Sequence, residues 1–187
     1  MSNKYNHPEL EDLGGQMHFF ERDKLHEWVY QKKPSVVFEV GGGAGGGSTI
    51  QIAHALKTLK DDGVCVDTKF YTCDADPLEV GRSKPYFSTH PDYKDFVRVS
   101  CDYSTEFLTR LISSNIIPDF IFFDGPEHPE LNLEDFKMLE EVVPVGTMFA
   151  SHDWEVEERI EGGFSIKNVA LRPYLENSES WKEIECL

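Results

Sequence analysis

The chain has 187 residues, enough for one globular domain with a buried core, and it carries 34 acidic residues against 18 lysines and arginines. The formal charge of −16 at pH 7 repels phosphate backbones and anionic lipid headgroups, which argues against nucleic acid or a membrane surface as a partner. The N-terminus has no apolar signal region, no run approaches the roughly 18–20 apolar residues of a membrane span, and the four cysteines are scattered, so we expect a reduced, cytoplasmic protein.

The first fifteen residues show no clear pattern and are expected to form a loose segment. An amphipathic helix is predicted from Gln16 to Lys33, where Pro34 ends it. Short apolar runs then alternate with helical stretches. The predicted strands are Ser35–Val40, Lys69–Cys73, Phe96–Cys101, Asp119–Phe123, Thr147–Ser151 and a final run at Trp181–Leu187. The predicted helices are Ser48–Lys60, Pro77–Phe87, Ser104–Ser114, Asn132–Val142 and a stretch around Ile166–Leu175.

Most of the predicted strands show little alternation between polar and apolar residues, which is typical of strands buried on both faces. Alternation of strand and helix with short connections predicts an α/β fold with a Rossmann-like, doubly wound sheet. We expect a mostly parallel sheet of about six strands with helices on both faces. Residues 1–187 are predicted to form a single domain.

A run of glycines joins the first predicted strand to its helix, in the segment VVFEVGGGAGGGST at residues 36–49. In a doubly wound sheet, ligands bind beyond the carboxyl ends of the strands, where this segment lies. Glycines let the backbone turn sharply and approach a ligand closely. Ser48 and Thr49 open a helix whose free N–H groups favour an anionic group. The run also fits the dinucleotide fingerprint, but that match is easily made in a stretch that is nearly all glycine.

Glu39 lies two residues before Gly41, the first glycine of the run, and distinguishes between two ligand classes. A carboxylate there would repel the pyrophosphate of a nicotinamide or flavin cofactor, whereas it would attract the ammonium and sulfonium groups of S-adenosylmethionine. The structural alternative is that Glu39 is a solvated acid at the end of a strand. A nicotinamide-dependent oxidoreductase is therefore the disfavoured enzyme class, although it stays open at this point.

The loop sequence EVGGGAG at residues 39–45 resembles the first motif of the class I S-adenosylmethionine-dependent methyltransferases. The Ser-Thr pair that follows resembles the Gly-Gly-Ser-Thr helix start of a subgroup of small-molecule O-methyltransferases. This subgroup includes the macrocin-type sugar methyltransferases and the cephalosporin hydroxylase-like proteins. The resemblance covers roughly residues 35 to 155. It implies that S-adenosyl-L-methionine is the methyl donor. The residues of this segment that would bind the donor are Glu39, Gly41, Gly43, Gly45 and Ser48.

Acids also follow the second and third predicted strands. A carboxylate at Asp74 can accept two hydrogen bonds from ribose hydroxyls, and the resemblance implies that role for it. Asp76 is better placed as the N-cap of the next helix. By resemblance, Asp102 faces the adenine amino group and Tyr103 lines its pocket, whereas Asp102 could equally be a helix cap.

The fourth and fifth predicted strands end in polar residues that define an acceptor end. Because neighbouring parallel strands end at one edge of the sheet, Asp124, His152 and Asp153 are expected within several ångströms of each other. In one interpretation these three hold a divalent cation, Mg or Mn, which lowers the pKa of an acceptor hydroxyl. In the other, no metal binds and His128 or His152 is the general base. Both histidines could also be purely structural. For Asp124, the resemblance implies a position near the methionine part of the donor.

The resulting prediction is methyl transfer from S-adenosyl-L-methionine to a small-molecule acceptor at a hydroxyl oxygen. The non-enzyme alternative is a binding module that has lost its acceptor site. Proteins of the resembled fold finish with an antiparallel hairpin, and this chain has residues for only one of its strands, so the hairpin is expected to be truncated. An edge exposed in this way could be covered in a homodimer.

Overall fold

The computed structural model describes Leu13, Gly15 and residues 17–126, 128–156 and 166–182. The strands in this part of the chain are β1 Val36–Val40, β2 Lys69–Asp74, β3 Val97–Cys101, β4 Phe120–Phe123 and β5 Met148–Ser151. The helices are α1 Phe19–Lys32, α2 Ser48–Asp61, α3 Pro77–Thr89, α4 Ser104–Ser113, α5 Pro129–Glu140 and α6 Leu171–Glu176. None of the helices among these residues is long and apolar enough to cross a lipid bilayer.

The five strands form one sheet in the order β3-β2-β1-β4-β5, and all four neighbouring pairs are parallel. The order reverses at β1, so β1 and β4 flank the switch point at which such sheets bind ligands. The doubly wound α/β fold predicted from the sequence is confirmed.

The prediction of about six strands is wrong, because the sheet has five. Only Trp181 and Lys182 of the predicted sixth strand are described, and neither belongs to the sheet. Trp181 packs instead against the ring of Phe136, with centroids 5.2 Å apart, and its indole N–H donates to Glu140 at 2.8 Å. Residues 183–187, on which the truncated hairpin was also predicted, lie outside the described residues.

The two faces of the sheet pack against two different sets of helices. Val37 and Phe120 belong to a core that includes residues of α1, α2 and α3. Phe38 and Phe123 belong to a second core, which includes residues of α4, α5 and α6. Successive strand residues point to opposite faces, so both kinds of position are buried and the strands are apolar throughout.

The start of α1 is fixed by its own residues. The backbone N–H of His18, the N-cap residue, donates to the carboxylate of Glu21 at 2.7 Å, which satisfies a group that the helix leaves unpaired. Of the segment predicted to be loose, Leu13 is buried in the first core and Gly15 packs on the loop after β1. A Cβ at Gly15 would lie 2.3 Å from the backbone nitrogen of Gly47. Residues 1–12, 14 and 16 lie outside the described residues.

Candidate donor and acceptor site

The glycine loop, residues 41–47, connects β1 to α2 at the carboxyl edge of the sheet. Gly41 has a φ of +87°, and a Cβ there would lie 2.0 Å from the carbonyl oxygen of Asp124. Glycine is therefore needed for the loop to pass the end of β4. Gly43 has a φ of +52°, and a Cβ there would meet no atom of the described chain within 4 Å. The open space at Gly43 leaves its backbone accessible to a ligand.

A cleft of about 400 Å³ runs along this loop. The glycine loop forms one wall, the N-terminal segment and α3 contribute others, and Asp124 lies at the end of β4. Its lining includes five of the predicted donor-binding residues: Gly41, Gly43, Gly45, Ser48 and Asp124. The lining also includes Gly15, Met17, Glu79 and Arg82, of which the first three were not considered as site residues from the sequence. The cleft therefore joins the predicted donor loop to the predicted acceptor end.

Glu39 lies beneath the glycine loop rather than at its rim. Its side chain is fully buried, and its Oε2 accepts hydrogen bonds from the hydroxyls of Thr49 and Thr72, both at 2.6 Å. A Cβ at Gly42 would lie 3.1 Å from the same oxygen. Within the described residues Oε1 has no hydrogen-bond partner. The alternative of a solvated strand-end acid is therefore excluded.

Burial controls the charge of this carboxyl group. It raises the pKa of Glu39 to about 7, while the hydroxyls of Ser48, Thr49 and Thr72 act in the opposite direction. Glu39 therefore changes charge near neutral pH. A cationic ligand above the loop would favour the ionised form, because opposite charges stabilise each other.

Asp74 ties the end of β2 to the glycine loop. Its Oδ2 accepts from the backbone N–H of Gly43 at 2.8 Å, and its Oδ1 accepts from Asp76 at 2.8 Å. Each carboxylate oxygen retains a second lone pair, so these bonds leave capacity for ribose hydroxyls. Asp76 is the N-cap of α3, where its Oδ1 accepts from the backbone N–H of Leu78 at 2.8 Å, which confirms the capping prediction.

Asp102 lies next to Asp74 at the sheet edge, since its backbone N–H donates to the Asp74 carbonyl at 3.2 Å. Its carboxylate pairs with the guanidinium of Arg110 from α4. The N-cap of α4 is Tyr103, not Asp102, so the helix-cap alternative for Asp102 is wrong. Tyr103 is 70% exposed and therefore available to a ligand, but its adenine contact and that of Asp102 stay predictions.

The structure brings Asp124, His152 and Asp153 together, with one potential ligand atom from each lying within 4.8 Å of the others. The His152 Nδ1 lies 3.3 Å from Asp124 Oδ1 and 3.3 Å from Asp153 Oδ1. Pairing of β5 with β4 sets this geometry, because the backbone N–H of His152 donates to the carbonyl of Phe123 at 2.9 Å. We call these three residues, together with Lys167 described below, the acceptor cluster.

Carboxylates surround both ring nitrogens of His152. Its Nε2 lies 3.5 Å from Oε2 of Glu21, which belongs to α1. Burial alone would lower the pKa of His152, but the hydrogen bonds and charges of Asp124 and Asp153 outweigh burial and raise it to about 10. In this arrangement His152 holds a proton at neutral pH, which favours an orienting role over that of a general base.

His128 lies apart from the acceptor cluster. It is the N-cap residue of α5, its side chain is 76% exposed, and its Nδ1 lies 3.6 Å from Glu130. A base role for His128 stays a prediction, and in this structure its ring faces solvent and Glu130.

Sequence reasoning missed Lys167. Its side chain is only 2% exposed, its Nζ contacts Asp124 Oδ1, and it lies 3.1 Å from Asp153 Oδ2. Burial acts to lower the pKa of Lys167, but the two carboxylates outweigh burial and raise it. Lys167 and His152 act together to lower the pKa of Asp153 to about 2, against the opposing effect of burial. A lone lysine outside any motif gives no sequence signal of such a position, since lone lysines are ordinarily exposed.

The neighbouring Asn168 fastens Lys167 to the fold. Its side-chain amide donates to the His152 carbonyl at 2.7 Å, and its Oδ1 accepts from Ser151 at 2.9 Å. The amide of Asn132 on α5 donates to Asn168 Oδ1 and to the Lys167 carbonyl, each at 3.1 Å. These bonds hold the backbone of Lys167 between β5 and α5.

A five-stranded parallel sheet, a glycine loop at its switch point and acids at the neighbouring strand ends are the features of a Rossmann-like domain that binds a nucleotide-containing cofactor at this edge. The model of a family described as a methyltransferase domain matches residues 39–154, more than half of the chain. The chain belongs to this family, which confirms the enzyme class predicted from the sequence and counts against an oxidoreductase.

Solved structures share this fold over most of their length. An O-methyltransferase from Bacillus cereus, solved in complex with SAH, is 17% identical, with a TM-score of 0.71 over 94% of this chain and 82% of that one. The O-methyltransferase TomG from Streptomyces achromogenes, involved in tomaymycin synthesis and solved with SAM, is 15% identical, with a TM-score of 0.69 over 94% and 80%. No curated protein matches the chain.

Proposed function

We propose that the protein transfers a methyl group from S-adenosyl-L-methionine to a hydroxyl oxygen of a small-molecule acceptor. The observation that carries this proposal is the single cleft that runs from the glycine loop to Asp124, where the acceptor cluster begins. The family match supports methyl transfer, and the two structural neighbours named above are O-methyltransferases solved with SAM or its product SAH.

The charges around the glycine loop favour this donor over a dinucleotide. Glu39, Asp74 and Asp124 supply three carboxyl groups near the loop. S-adenosylmethionine carries an ammonium group and supplies an electrophilic methyl group on a sulfonium, whereas a pyrophosphate carries negative charge. Opposite charges attract more strongly in a partly buried cleft than in water, so the loop selects a cationic ligand. The N-terminus of α2 at Ser48 can receive the donor carboxylate.

The chain's own residues would orient the acceptor and limit access of water. Met17 and Gly15 form a wall of the cleft beside the glycine loop. Asp124 lies both in the cleft and in the acceptor cluster, so it is the residue best placed to accept a hydrogen bond from the acceptor hydroxyl. His152 and Lys167 both contact Asp124 Oδ1 and thereby fix the position of the carboxylate. Transfer from a sulfonium needs chiefly an in-line approach and a dry site.

The donor set Asp124, His152 and Asp153 suits a divalent cation by residue type, because imidazole and carboxylate are common metal ligands. Such an ion would polarise an acceptor oxygen and lower its pKa. The ammonium of Lys167, however, already contacts two of the three side chains. Metal assistance therefore stays a prediction.

A cytoplasmic location is also part of this proposal. Cys65, Cys73 and Cys101 are free thiols, as expected in a reducing compartment. The homodimer predicted from the sequence stays a prediction, which sedimentation would test.

Turnover tests the proposal directly. Labelled S-adenosylmethionine should transfer its methyl group to members of a panel of hydroxylated small molecules, and Asp124→Asn should lower kcat while donor affinity falls less. Glu141→Gln, a change at an exposed position on the far end of α5, is the matched control and should leave turnover unchanged. If the wild type binds the donor but methylates no compound of a broad panel, the protein is the donor-binding module and not the enzyme.

A further inference from the structure

We propose that the ammonium group of Lys167 is the resident cation of the acceptor cluster and occupies the place that a divalent metal ion would take. The protein then carries its own cation on its own side chain, and its reaction is independent of divalent metal. This inference rests on the proposed function only in naming the reaction, since the cation site itself can be measured without turnover.

The ammonium and a metal ion would compete for one position. The Lys167 nitrogen touches Asp124 Oδ1 and lies 3.1 Å from Asp153 Oδ2. These carboxylates belong to two of the three side chains whose ligand atoms lie within 4.8 Å of one another. A divalent ion would need oxygens of the same two carboxylates at about 2.0–2.2 Å. An ion at that distance from Asp124 Oδ1 would share this oxygen with the ammonium, and the two positive charges would repel each other at so short a separation.

Lys167 is built into this place rather than resting there. Its side chain is 2% exposed, and its backbone carbonyl accepts from Asn132 at 3.1 Å. The next residue, Asn168, is fully buried and hydrogen-bonds the carbonyl of His152 at 2.7 Å. Buried hydrogen bonds therefore fix the backbone of Lys167, and withdrawal of its side chain would leave the partly buried carboxylates of Asp124 and Asp153 without their cation.

The charges around the cluster also favour the ammonium as its occupant. The acids that face it in the described part of the chain are Asp124, Asp153 and Glu21 from α1. Lys167 places one positive charge in contact with two of these carboxylates. A divalent ion on the same carboxylates would be repelled by this ammonium at short range.

Lys167 consequently acts as a positioning residue. It holds the Asp124 carboxylate at the edge of the cleft, where the acceptor hydroxyl is expected, without needing to touch the acceptor. A purely structural lysine would not exclude metal. Gain of metal binding on its removal therefore distinguishes the proposed role from simple packing.

Titration with Mn²⁺ alone, followed by electron paramagnetic resonance, tests the proposal. Wild type should bind no Mn²⁺ at the acceptor cluster, so Asp153→Asn should leave its Mn²⁺ titration unchanged. Lys167→Ala, which deletes the ammonium and leaves space, should bind Mn²⁺ at least about tenfold more tightly than wild type. Lys167→Met is the matched control: it removes the charge but fills most of the volume, so it should gain less. The double variant Lys167→Ala/Asp153→Asn should lose the gained site.

One result overturns the proposal whatever the lysine variants do: a stoichiometric Mn²⁺ site in wild type that Asp153→Asn abolishes. This arm needs no lysine variant, so it decides the matter even if Lys167→Ala does not fold. Methyl transfer that persists in excess EDTA supports the inference, and transfer that EDTA abolishes and Mn²⁺ restores refutes it while leaving the proposed function intact. The expected Mn²⁺ pattern without any methyl transfer would instead refute the proposed function alone.

Discussion

The substitution Glu39→Gln separates the charge of the buried carboxyl group from its shape. The amide oxygen of glutamine can still accept from Thr49 and Thr72, both at 2.6 Å in the wild type. The amide nitrogen takes the place of Oε1, which has no hydrogen-bond partner among the described residues. The variant therefore keeps the support beneath the glycine loop but cannot ionise. The comparison isolates the electrostatic contribution of Glu39.

The magnitude follows from the pKa. Burial raises the pKa of Glu39 from 4.5 to about 7, so the native state holds a proton that the unfolded chain has already released. A raised native pKa contributes stability that is fully present below pH 4.5 and is lost as pH rises through 7. The total loss is about 3 kcal/mol for a shift of this size. Between pH 5 and pH 8 the wild type should lose most of this amount relative to Glu39→Gln.

Urea unfolding at pH 5 and pH 8 measures this difference. The free energy of unfolding of Glu39→Gln should fall by about 2–3 kcal/mol less than that of wild type over this interval. Glu141→Gln, at an exposed position, should behave as the wild type does. Equal pH dependence in wild type and Glu39→Gln would refute the assignment of a buried, titrating carboxyl beneath the loop.

Further predictions concern the glycine loop and the acceptor cluster. Gly41→Ala should destabilise the fold by about 2 kcal/mol more than Gly63→Ala in urea unfolding, because both have positive φ but only Gly41 has backbone atoms in the way. Equal losses would contradict the clash with the end of β4. Gly43→Ala should reduce the free energy of S-adenosylhomocysteine binding, measured by calorimetry, by more than it reduces the free energy of unfolding, since its Cβ would point into open space. His152→Asn should abolish a loss of stability that the wild type shows as pH rises from 7 to 10, because the raised pKa of about 10 makes His152 stabilising only while protonated. An unchanged profile above pH 7 would count against the imidazolium.

The strands and the glycine loop could be predicted because their signals are local. Strands covered by helices on both faces must be apolar throughout, and runs such as Phe120–Phe123 carry that pattern. Asp124, His152 and Asp153 could be brought together because neighbouring parallel strands end at one edge. The prediction of a strand beginning at Trp181 was wrong because a short amphipathic run can pack on a helix as well as pair in a sheet.

The burial of Glu39 could also have been predicted from the side-chain alternation of its strand. Glu39 shares a sheet face with Val37, whose face packs against α2, the helix that carries Thr49. Side-chain alternation along β1 therefore directs the carboxylate under the helix start rather than out to the rim. The position of Lys167 could not be predicted from the sequence, because this residue comes from a segment after β5 and is held in place by tertiary hydrogen bonds of Asn132 and Asn168.

Calorimetric titration with S-adenosylhomocysteine and, separately, with NAD⁺ determines which class of ligand the glycine loop binds. We expect stoichiometric binding of S-adenosylhomocysteine, weakened in Asp74→Ala and in Glu39→Gln, and no binding of NAD⁺ at comparable concentrations. Binding of NAD⁺ without binding of S-adenosylhomocysteine would mean that the glycine loop and its cleft hold a dinucleotide and not a methyl donor.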